Sequence, residues 1–193
     1  MASLVVAGCR ASEGSPPEAT VPTAPSTSLT TAPIDVSVIP PVIDEPYLNA
    51  VLAALDEVDG EASRTIVAAK SFTPEAADLL NAIYSDERFQ VQAEVILSAL
   101  AKDPALSSVR PNPGPRTTSV ERIITASPTC VWMAVKRDHS ASSVHPVEPR
   151  TEYVALRPLD ESNDPQDHNP TAWMISAEGF NADGSEPGNQ CEP

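Results

Sequence analysis

Aromatic residues are scarce in this sequence, which has three Phe, three Tyr and two Trp among 193 residues. A hydrophobic content of 41% is sufficient for a core, but that core must be built mainly from Ala, Val, Leu and Ile. Glycine is scarce too, with 7 residues, and no G-x-S-x-G, G-x-x-x-x-G-K-[ST] or G-x-G-x-x-G motif occurs. The sequence therefore lacks the nucleophile elbow of hydrolases and the common phosphate-binding loops.

Positive charge is limited to 12 Lys and Arg against 27 Asp and Glu, which gives a formal net charge of −15. An acidic surface opposes attraction to phosphate backbones and anionic lipid headgroups, so we expect no nucleic acid partner. Long hydrophobic runs are absent as well, since no stretch of about 18 apolar residues occurs. Attachment to a bilayer would therefore require a covalent lipid.

Residues 4–9, Leu-Val-Val-Ala-Gly-Cys, resemble the lipobox of bacterial lipoproteins. The resemblance implies cleavage before Cys9, acylation of Cys9, and a lipid anchor on the extracytoplasmic face of the cell membrane. The alternative is a chance Val-Ala-Gly-Cys in a chain rich in Ala and Val. A secretory leader has a basic segment before its apolar one, but only Met-Ala-Ser precedes residue 4. We therefore interpret residues 1–9 as a truncated signal, with either the true start upstream or the leader trimmed away.

Residues 10–41 are rich in Ala, Ser, Thr and Pro and contain few apolar side chains. Such a segment buries too little surface to offset its chain entropy, which predicts an extended, disordered tether. A plain disordered terminus is the alternative. Alternation over residues 34–39 predicts a short strand at the end of the tether. We expect residues 42–193 to form a single domain.

Four helices are predicted in the first half of this domain. Asp44 is a candidate N-cap for the first helix, and Gly60 is predicted to end it before a second helix over residues 61–70. Thr73 and Pro74 open a third helix, and Ser85 precedes a fourth. The predicted apolar face of the fourth helix consists of Phe89, Ala93, Ile96, Leu97 and Leu100.

Short strand-like runs follow, at residues 119–126, 130–137, 152–157 and 172–177. Sequential strands with short connections favour antiparallel pairing, so we predict an α+β fold with helices packed on a curved antiparallel sheet. This element order, with Trp173-Met174-Ile175 on the last strand, resembles the cystatin-like folds and especially the NTF2-like cone. Small actinobacterial lipoproteins of uncharacterised role also look like this overall. The resemblance implies a concave pocket, with candidate lining residues Trp132, Met133, Tyr153, Trp173 and Ile175, although a core role is the simpler interpretation of most of them.

Two cysteines remain once Cys9 is assigned to lipid, and in an exported chain Cys130 and Cys191 are expected to form a disulfide. The alternative is a buried free thiol at Cys130 and a loose one at Cys191. The three histidines show no metal-binding spacing, so we predict no metal site and no cofactor. Asp138 and His139 are the one acid–base pair in sequence, but neighbours on a strand point to opposite faces.

The loop of residues 160–170 gathers four carboxylates and two asparagines. Oxygen-rich loops of this kind can hold calcium, but the spacing does not match an EF-hand, and a solvated turn is the alternative. Since no catalytic motif is present, we predict a lipid-anchored accessory or interaction protein that is not an enzyme and that meets an envelope protein. The alternative is a module that binds a small ligand between its helices and its sheet.

Overall fold

The computed structural model describes residues 33–159, 168–180 and 185–192. Within these ranges the chain has the predicted α+β architecture, with three helices and a curved, open sheet of four antiparallel strands. The helices are α1 (Glu45–Ala69), α2 (Pro74–Ile83) and α3 (Asp86–Lys102), and the strands are β1 (Thr117–Ser127), β2 (Cys130–Asp138), β3 (Arg150–Pro158) and β4 (Trp173–Gly179). The lipobox residues 4–9, tether residues 10–32 and acidic-loop residues 160–167 lie outside the described residues.

Helix α1 begins where the sequence predicts, because the Asp44 carboxylate accepts a hydrogen bond from the Tyr47 amide at 3.0 Å. The predicted end at Gly60 is wrong, since α1 runs without a break from Glu45 to Ala69, 25 residues in all. The predicted second helix over residues 61–70 is therefore the C-terminal part of α1. A Cβ added at Gly60 would lie 2.9 Å from the Cα of Pro115. Glycine is therefore needed there for the close approach of the segment that precedes β1 and does not mark a helix end.

Helix α2 is capped by Thr73, whose hydroxyl accepts from the Ala76 amide at 3.2 Å. Helix α3 follows Ser85 as predicted, but none of its residues is fully buried. Phe89 and Ile96 pack only partly against the core, and Leu97 is 52% exposed. The predicted buried face of this helix is therefore wrong at Leu97, which points away from the core.

The sheet has the order β1-β2-β3-β4, so each strand pairs with its neighbour in sequence. The strand bounds lie within two residues of those predicted. Register shifts interrupt the β1–β2 pairing between Val120 and Arg122 and again between Ile123 and Thr125. Irregularities of this kind bend a strand and increase its twist.

The core lies between one face of the sheet and helices α1 and α2. Alternate residues of the strands supply the sheet side, in keeping with the period of two along a strand. They include Val131, Met133, Val135, Val154, Leu156, Trp173 and Ile175, and helix α1 contributes Leu48, Val51, Leu52 and Leu55. The indole of Trp173 donates to the Tyr47 hydroxyl at 2.8 Å, which satisfies its buried N–H.

The segment before α1 contains a turn at residues 36–38 and no strand, so the predicted strand over residues 34–39 is wrong. The carbonyl of Val36 accepts from the Ala172 amide at 2.9 Å, and that of Val38 accepts from the Tyr47 hydroxyl at 3.0 Å. Val36, Ile39 and Ile43 also pack against the core. The apolar residues at the end of the predicted tether thus cover the domain through a turn.

The predicted disulfide joins Cys130 to Cys191, with an S–S distance of 2.06 Å. It ties residues 185–192 to the start of β2. Asn189 reinforces this attachment by donating to the Thr125 hydroxyl at 3.0 Å. In the described part of the chain, no helix combines the length and apolar character needed to cross a bilayer.

Candidate functional site

Charged residues occupy one end of the sheet face that packs on the helices. Arg137 and Glu152 continue the inward-facing alternation of β2 and β3 beyond Val135 and Val154. Both side chains are almost completely removed from solvent, since Arg137 is 2% exposed and Glu152 4%. A charge buried in this way must be paired, because desolvation is otherwise too costly.

Arg137 and Glu178 form the centre of this buried charge network. Nη1 of Arg137 lies 2.6 Å from Glu178 Oε2 and 2.9 Å from Glu152 Oε2. From helix α3, Arg88 reaches the second oxygen of Glu178 at 2.6 Å. Arg150 pairs with Glu152 at 2.6 Å on the more exposed side. Three strands and α3 are therefore joined through two carboxylates.

Asp56 of helix α1 forms a second centre. Its carboxylate accepts from Arg116 Nε at 2.7 Å, from the Thr118 amide at 2.7 Å and from the Thr118 hydroxyl at 3.0 Å. Arg116 also lies 3.9 Å from Glu178, which links the two centres. We call the set Asp56, Asp59, Arg88, Arg116, Arg137, Glu152 and Glu178 the buried ion network.

The pKa values of this network reflect competition between burial and neighbouring charge. Burial by itself would raise the pKa of Glu178, but the guanidinium groups of Arg137, Arg116 and Arg88 hold it well below its ordinary value. Burial raises the pKa of Asp56, and the charge of Arg116 opposes this shift. The pKa of the Tyr84 hydroxyl is raised, chiefly by burial. Tyr84 is therefore a neutral hydrogen-bond donor at physiological pH.

Asp59 connects the buried ion network to a cavity. Its Oδ1 accepts from the Tyr84 hydroxyl at 3.2 Å, and its Oδ2 lies 3.8 Å from Arg116 Nη1. The cavity opens among helices α1, α2 and α3 and has a volume of about 180 Å³. We call it the helix cavity. Its apolar lining residues are Ile66, Val67, Leu80, Ile96, Ala99, Leu100, Leu106 and Val109, and its polar ones are Asp59, Ser63 and Gln92.

Comparison with protein-family models, curated proteins and solved structures finds no match for this chain.

Leu106 closes one side of the helix cavity in a left-handed backbone conformation, with φ of 46°. This conformation is uncommon for a bulky residue and costs about 1–2 kcal/mol. The turn that follows α3 holds it in place. The Asp103 carboxylate accepts from the Ser107 amide at 2.6 Å and from the Ala105 amide at 3.2 Å, and the Leu106 amide donates to the Asp103 carbonyl at 2.9 Å.

The five residues predicted to line a pocket are split between the two faces of the sheet. Met133, Trp173 and Ile175 face the helices and are fully buried in the core. Trp132 and Tyr153 stack on the opposite face, with ring centroids 5.7 Å apart. None of the five is among the lining residues of the helix cavity. The structure therefore does not bring them together around one space.

Trp132 does line a second cavity, between the outer face of the sheet and the C-terminal residues held by the disulfide. Its volume is about 270 Å³, and it is also lined by Ala177, Glu178, Gly179, Phe180, Pro187 and Gln190. The indole Nε1 of Trp132 is buried and has no hydrogen-bond partner. Trp132 therefore occupies a site different from the concave pocket that the sequence resemblance implies.

Asp138 and His139, the one acid–base pair in sequence, lie at the end of β2 and directly after it. Asp138 accepts from the Ser140 amide at 2.8 Å, and His139 is half-buried, with an unpartnered Nε2. Burial lowers the pKa of His139, and the positive charge of Arg116 lowers it further. Among the residues that the structure describes, no group of three or more His, Cys, Asp or Glu side chains is arranged to hold a metal ion.

Sequence reasoning missed both the buried ion network and the helix cavity. The partners are far apart in the chain, since Asp56 and Arg116 are separated by 60 positions. One signal was present: Arg137 and Glu152 each interrupt or end an apolar strand at an inward-facing position. Charged residues at such positions predict a buried pair, although not the identity of the partners.

Proposed function

We propose that this protein is a lipid-anchored extracytoplasmic accessory protein, which presents its α+β domain to a partner in the cell envelope and binds it without catalysing a reaction. The observation that carries the proposal is the Cys130–Cys191 disulfide, because disulfides persist in oxidising compartments outside the cytoplasm. The lipobox resemblance at Cys9 and the Pro- and Thr-rich residues that follow it supply an anchor and a tether of the kind that such proteins carry.

The arrangement of the ionisable groups supports a binding role. In the buried ion network each of Asp56, Glu152 and Glu178 lies within 3 Å of a guanidinium nitrogen. Although burial opposes the shift, the guanidinium groups of Arg137, Arg116 and Arg88 hold the pKa of Glu178 well below its ordinary value, so this carboxylate is a weak base. The network is therefore suited to joining the helices to the sheet.

The packing of α1 and α2 on one face of the curved sheet supports a more specific proposal about the fold. In this proposal the domain is an NTF2-like or cystatin-like cone whose concave face is filled by the side chains of Met133, Trp173 and Ile175. A filled concave face leaves the surfaces around α3 and the C-terminal residues for partners.

The anchor is tested by expressing the chain behind the basic and apolar segments of a lipoprotein leader in a bacterial host, and by comparing the wild type with Cys9→Ser. We expect the mature wild type to begin at Cys9, to carry the mass of its acyl chains and to sediment with the membrane fraction. Cys9→Ser should lose all three properties. The double variant Cys130→Ser/Cys191→Ser is the control for loss of cysteine, and it should remain in the membrane fraction. Unchanged mass and fractionation of Cys9→Ser would contradict the proposal.

A second candidate function, binding of a small molecule, is favoured by the helix cavity. This cavity is mostly apolar and has a small number of polar groups at one end, as ligand sites commonly do. It lies between helices and is separate from the concave face of the sheet. Binding there is compatible with a lipid anchor, because neither Cys9 nor the tether is needed to form the cavity walls.

A further inference from the structure

We propose that the helix cavity binds a small amphiphilic cation, with the cationic group on Asp59 and the apolar part between α1 and α3. A primary alkylammonium ion is the simplest ligand of this class. The inference rests on the second candidate function above and names the ligand class for it. It does not depend on the lipid anchor.

The size and lining of the cavity define the apolar part of the ligand. Its volume of about 180 Å³ is slightly larger than that of an engineered apolar cavity of about 150 Å³ in another protein that binds benzene. Room for roughly six to eight non-hydrogen atoms follows from that comparison. Ile66, Leu80 and Ile96 supply aliphatic walls, so a short alkyl chain or a single ring would be desolvated on entry.

The polar end of the cavity selects the charge of the ligand. Asp59 Oδ1 has one hydrogen bond, from Tyr84, while Arg116 Nη1 lies 3.8 Å away from Oδ2, beyond hydrogen-bond distance. Arg116 donates through Nε to Asp56 at 2.7 Å, and its Nη1 is shared between Asp59 and Glu178 at 3.8 and 3.9 Å. A carboxylate offers about four acceptor positions, so Asp59 keeps capacity to accept from a ligand donor. Its side chain is 15% exposed, and Asp59 is one of the residues that line the cavity.

An anionic ligand of the same shape is disfavoured at this position. A carboxylate group next to Asp59 would be repelled by a like charge in a partly desolvated site. Ser63 and Gln92 can donate as well as accept, but neither carries a compensating positive charge. The guanidinium of Arg116, which lies 3.8 Å from Asp59, also pairs with Asp56 and Glu178. An ammonium group, by contrast, would form a charge-assisted hydrogen bond with Asp59. The site therefore distinguishes cation from anion.

Helix α3 can adjust to such a ligand. It has no fully buried residue, and local opening is least costly where few apolar side chains are buried. The left-handed Leu106 lies in the turn that follows α3. A small displacement of α3 and of this turn would admit a ligand without disturbing the core beneath α1.

The proposal is tested by titrating ¹³C-methyl-labelled full-length protein with n-hexylammonium chloride, and in parallel with sodium hexanoate. We expect saturable shifts of the Ile66, Ile96 and Leu106 methyl signals with the amine. Hexanoate should bind at least about tenfold more weakly, because one charge-assisted hydrogen bond is lost and repulsion replaces it. Equal affinity for the two ligands would overturn the assignment to a cation. Absence of saturable shifts with either ligand would overturn the site itself.

Two pairs of variants locate the binding. Asp59→Asn should reduce hexylammonium affinity about tenfold, whereas Asp78→Asn, which changes an exposed carboxylate on α2, should not. Leu100→Trp should abolish binding by filling the cavity, whereas Leu97→Trp, at an exposed position on the same helix, should retain it. Because Asp59 contacts the buried ion network, the Leu100 and Leu97 variants keep the test decisive if Asp59→Asn fails to fold. Equal binding by Leu100→Trp and Leu97→Trp would overturn the site.

The outcomes separate this inference from the proposed anchoring. Membrane fractionation of Cys9→Ser reports on the lipid and is unaffected by the helix cavity. The methyl titration reports on the helix cavity and is unaffected by the lipid. Shifts confined to the exposed Val91 and Val95 would show amine adsorbed on the surface of α3 and would also overturn the inference.

Discussion

Helices α1 and α3 both contain apolar residues, but the rest of the domain holds the two helices in different ways. Helix α1 buries ten residues, including Leu48 and Leu55, and its Asp56 is the acceptor for Arg116 and Thr118. Helix α3 buries none and leaves Val91, Val95 and Leu97 about half exposed. One specific charged contact, from Arg88 to Glu178, ties it to the sheet.

The two helices therefore differ in how much they contribute to the stability of the domain and in how easily they can move. The apolar core and the bonds of Asp56 with Arg116 and Thr118 join α1 to the sheet, so the free energy of unfolding should depend mainly on that contact. The looser packing of α3 leaves the helix cavity beside α1. The region that contributes least to stability is therefore the region with space for a ligand, as expected for elements that move on binding.

Removing the disulfide, which attaches the C-terminal residues to the sheet, is expected to have the largest effect on the free energy of unfolding. Cys130→Ser/Cys191→Ser should lower the free energy of unfolding by up to about 4 kcal/mol, because the bond closes a loop across a separation of 61 residues. Chemical denaturation under oxidising conditions measures the loss. In the presence of reductant the variant and the wild type should unfold at the same denaturant concentration. A loss that persists under reductant would instead assign the two side chains a packing role.

Matched leucine truncations compare the two helices directly. Leu55→Ala, in the core under α1, should destabilise the domain by about 3 kcal/mol, since it leaves a cavity in a close-packed region. Leu100→Ala, beside the helix cavity on α3, should cost less than about 1 kcal/mol. Thermal or chemical unfolding of both variants provides the measurement. Similar losses of stability in the two variants would contradict the proposed difference between the helices.

Glu178 sharpens the comparison because it joins α3 to the sheet. Glu178→Gln should destabilise the domain by about 3 kcal/mol, since it leaves the guanidinium groups of Arg88 and Arg137 without their shared carboxylate. Glu186→Gln, which alters the exposed pair with Arg122, is the matched control and should change stability by less than about 0.5 kcal/mol. Urea unfolding at neutral pH distinguishes the two variants.

The same carboxylate predicts a pH dependence with a definite sign. The pKa of Glu178 is lower in the folded protein than its ordinary value of 4.5. The contribution of this carboxylate to the free energy of unfolding is therefore fully present above pH 4.5. That contribution is lost as the pH falls below this value and the unfolded chain takes up the proton. Unfolding midpoints between pH 7 and pH 3 should therefore fall less steeply in Glu178→Gln than in the wild type. Parallel profiles would contradict the assignment.

Gly60→Ala gives the smallest expected effect and tests the close approach at α1. Alanine is favoured over glycine in a helix by about 1 kcal/mol, but its Cβ would lie 2.9 Å from two atoms of Pro115. We expect a net destabilisation of about 1 kcal/mol by thermal unfolding. Gly188→Ala, where an added Cβ meets no atom within 4 Å, serves as the control. A stabilised Gly60→Ala would show that the Pro115 segment moves aside.

The features that sequence predicted correctly are those with local signals. Asp44 and Thr73 precede helices and cap them through amides three residues later, and the alternation of Val131, Met133 and Val135 marks an inward face. The predicted helix end at Gly60 was wrong because a glycine needed for close packing gives the same sequence signal as a glycine that ends a helix. The predicted burial of Leu97 was wrong because periodicity does not reveal whether a neighbouring element covers that face of the helix.

For a related reason, local sequence signals could not predict the buried ion network or the helix cavity. The buried ion network is formed by residues from both halves of the chain, such as Asp56 with Arg116 and Arg88 with Glu178. Those pairs are set by how the strands and helices stack, which no spacing rule specifies. The helix cavity is likewise a property of loose packing between α1 and α3. Only the disulfide, with two cysteines left to pair, was accessible from residue counting.

Native-state hydrogen exchange of individual amides, measured with and without n-hexylammonium, tests the central contrast most directly. Interior amides of α1, such as those of Leu52 and Leu55, should exchange only through global unfolding, whereas those of Leu97 and Leu100 in α3 should exchange through a local opening of lower free energy. The amine should slow exchange in α3 more than in α1. Equal protection of the two helices in the free protein would contradict the account.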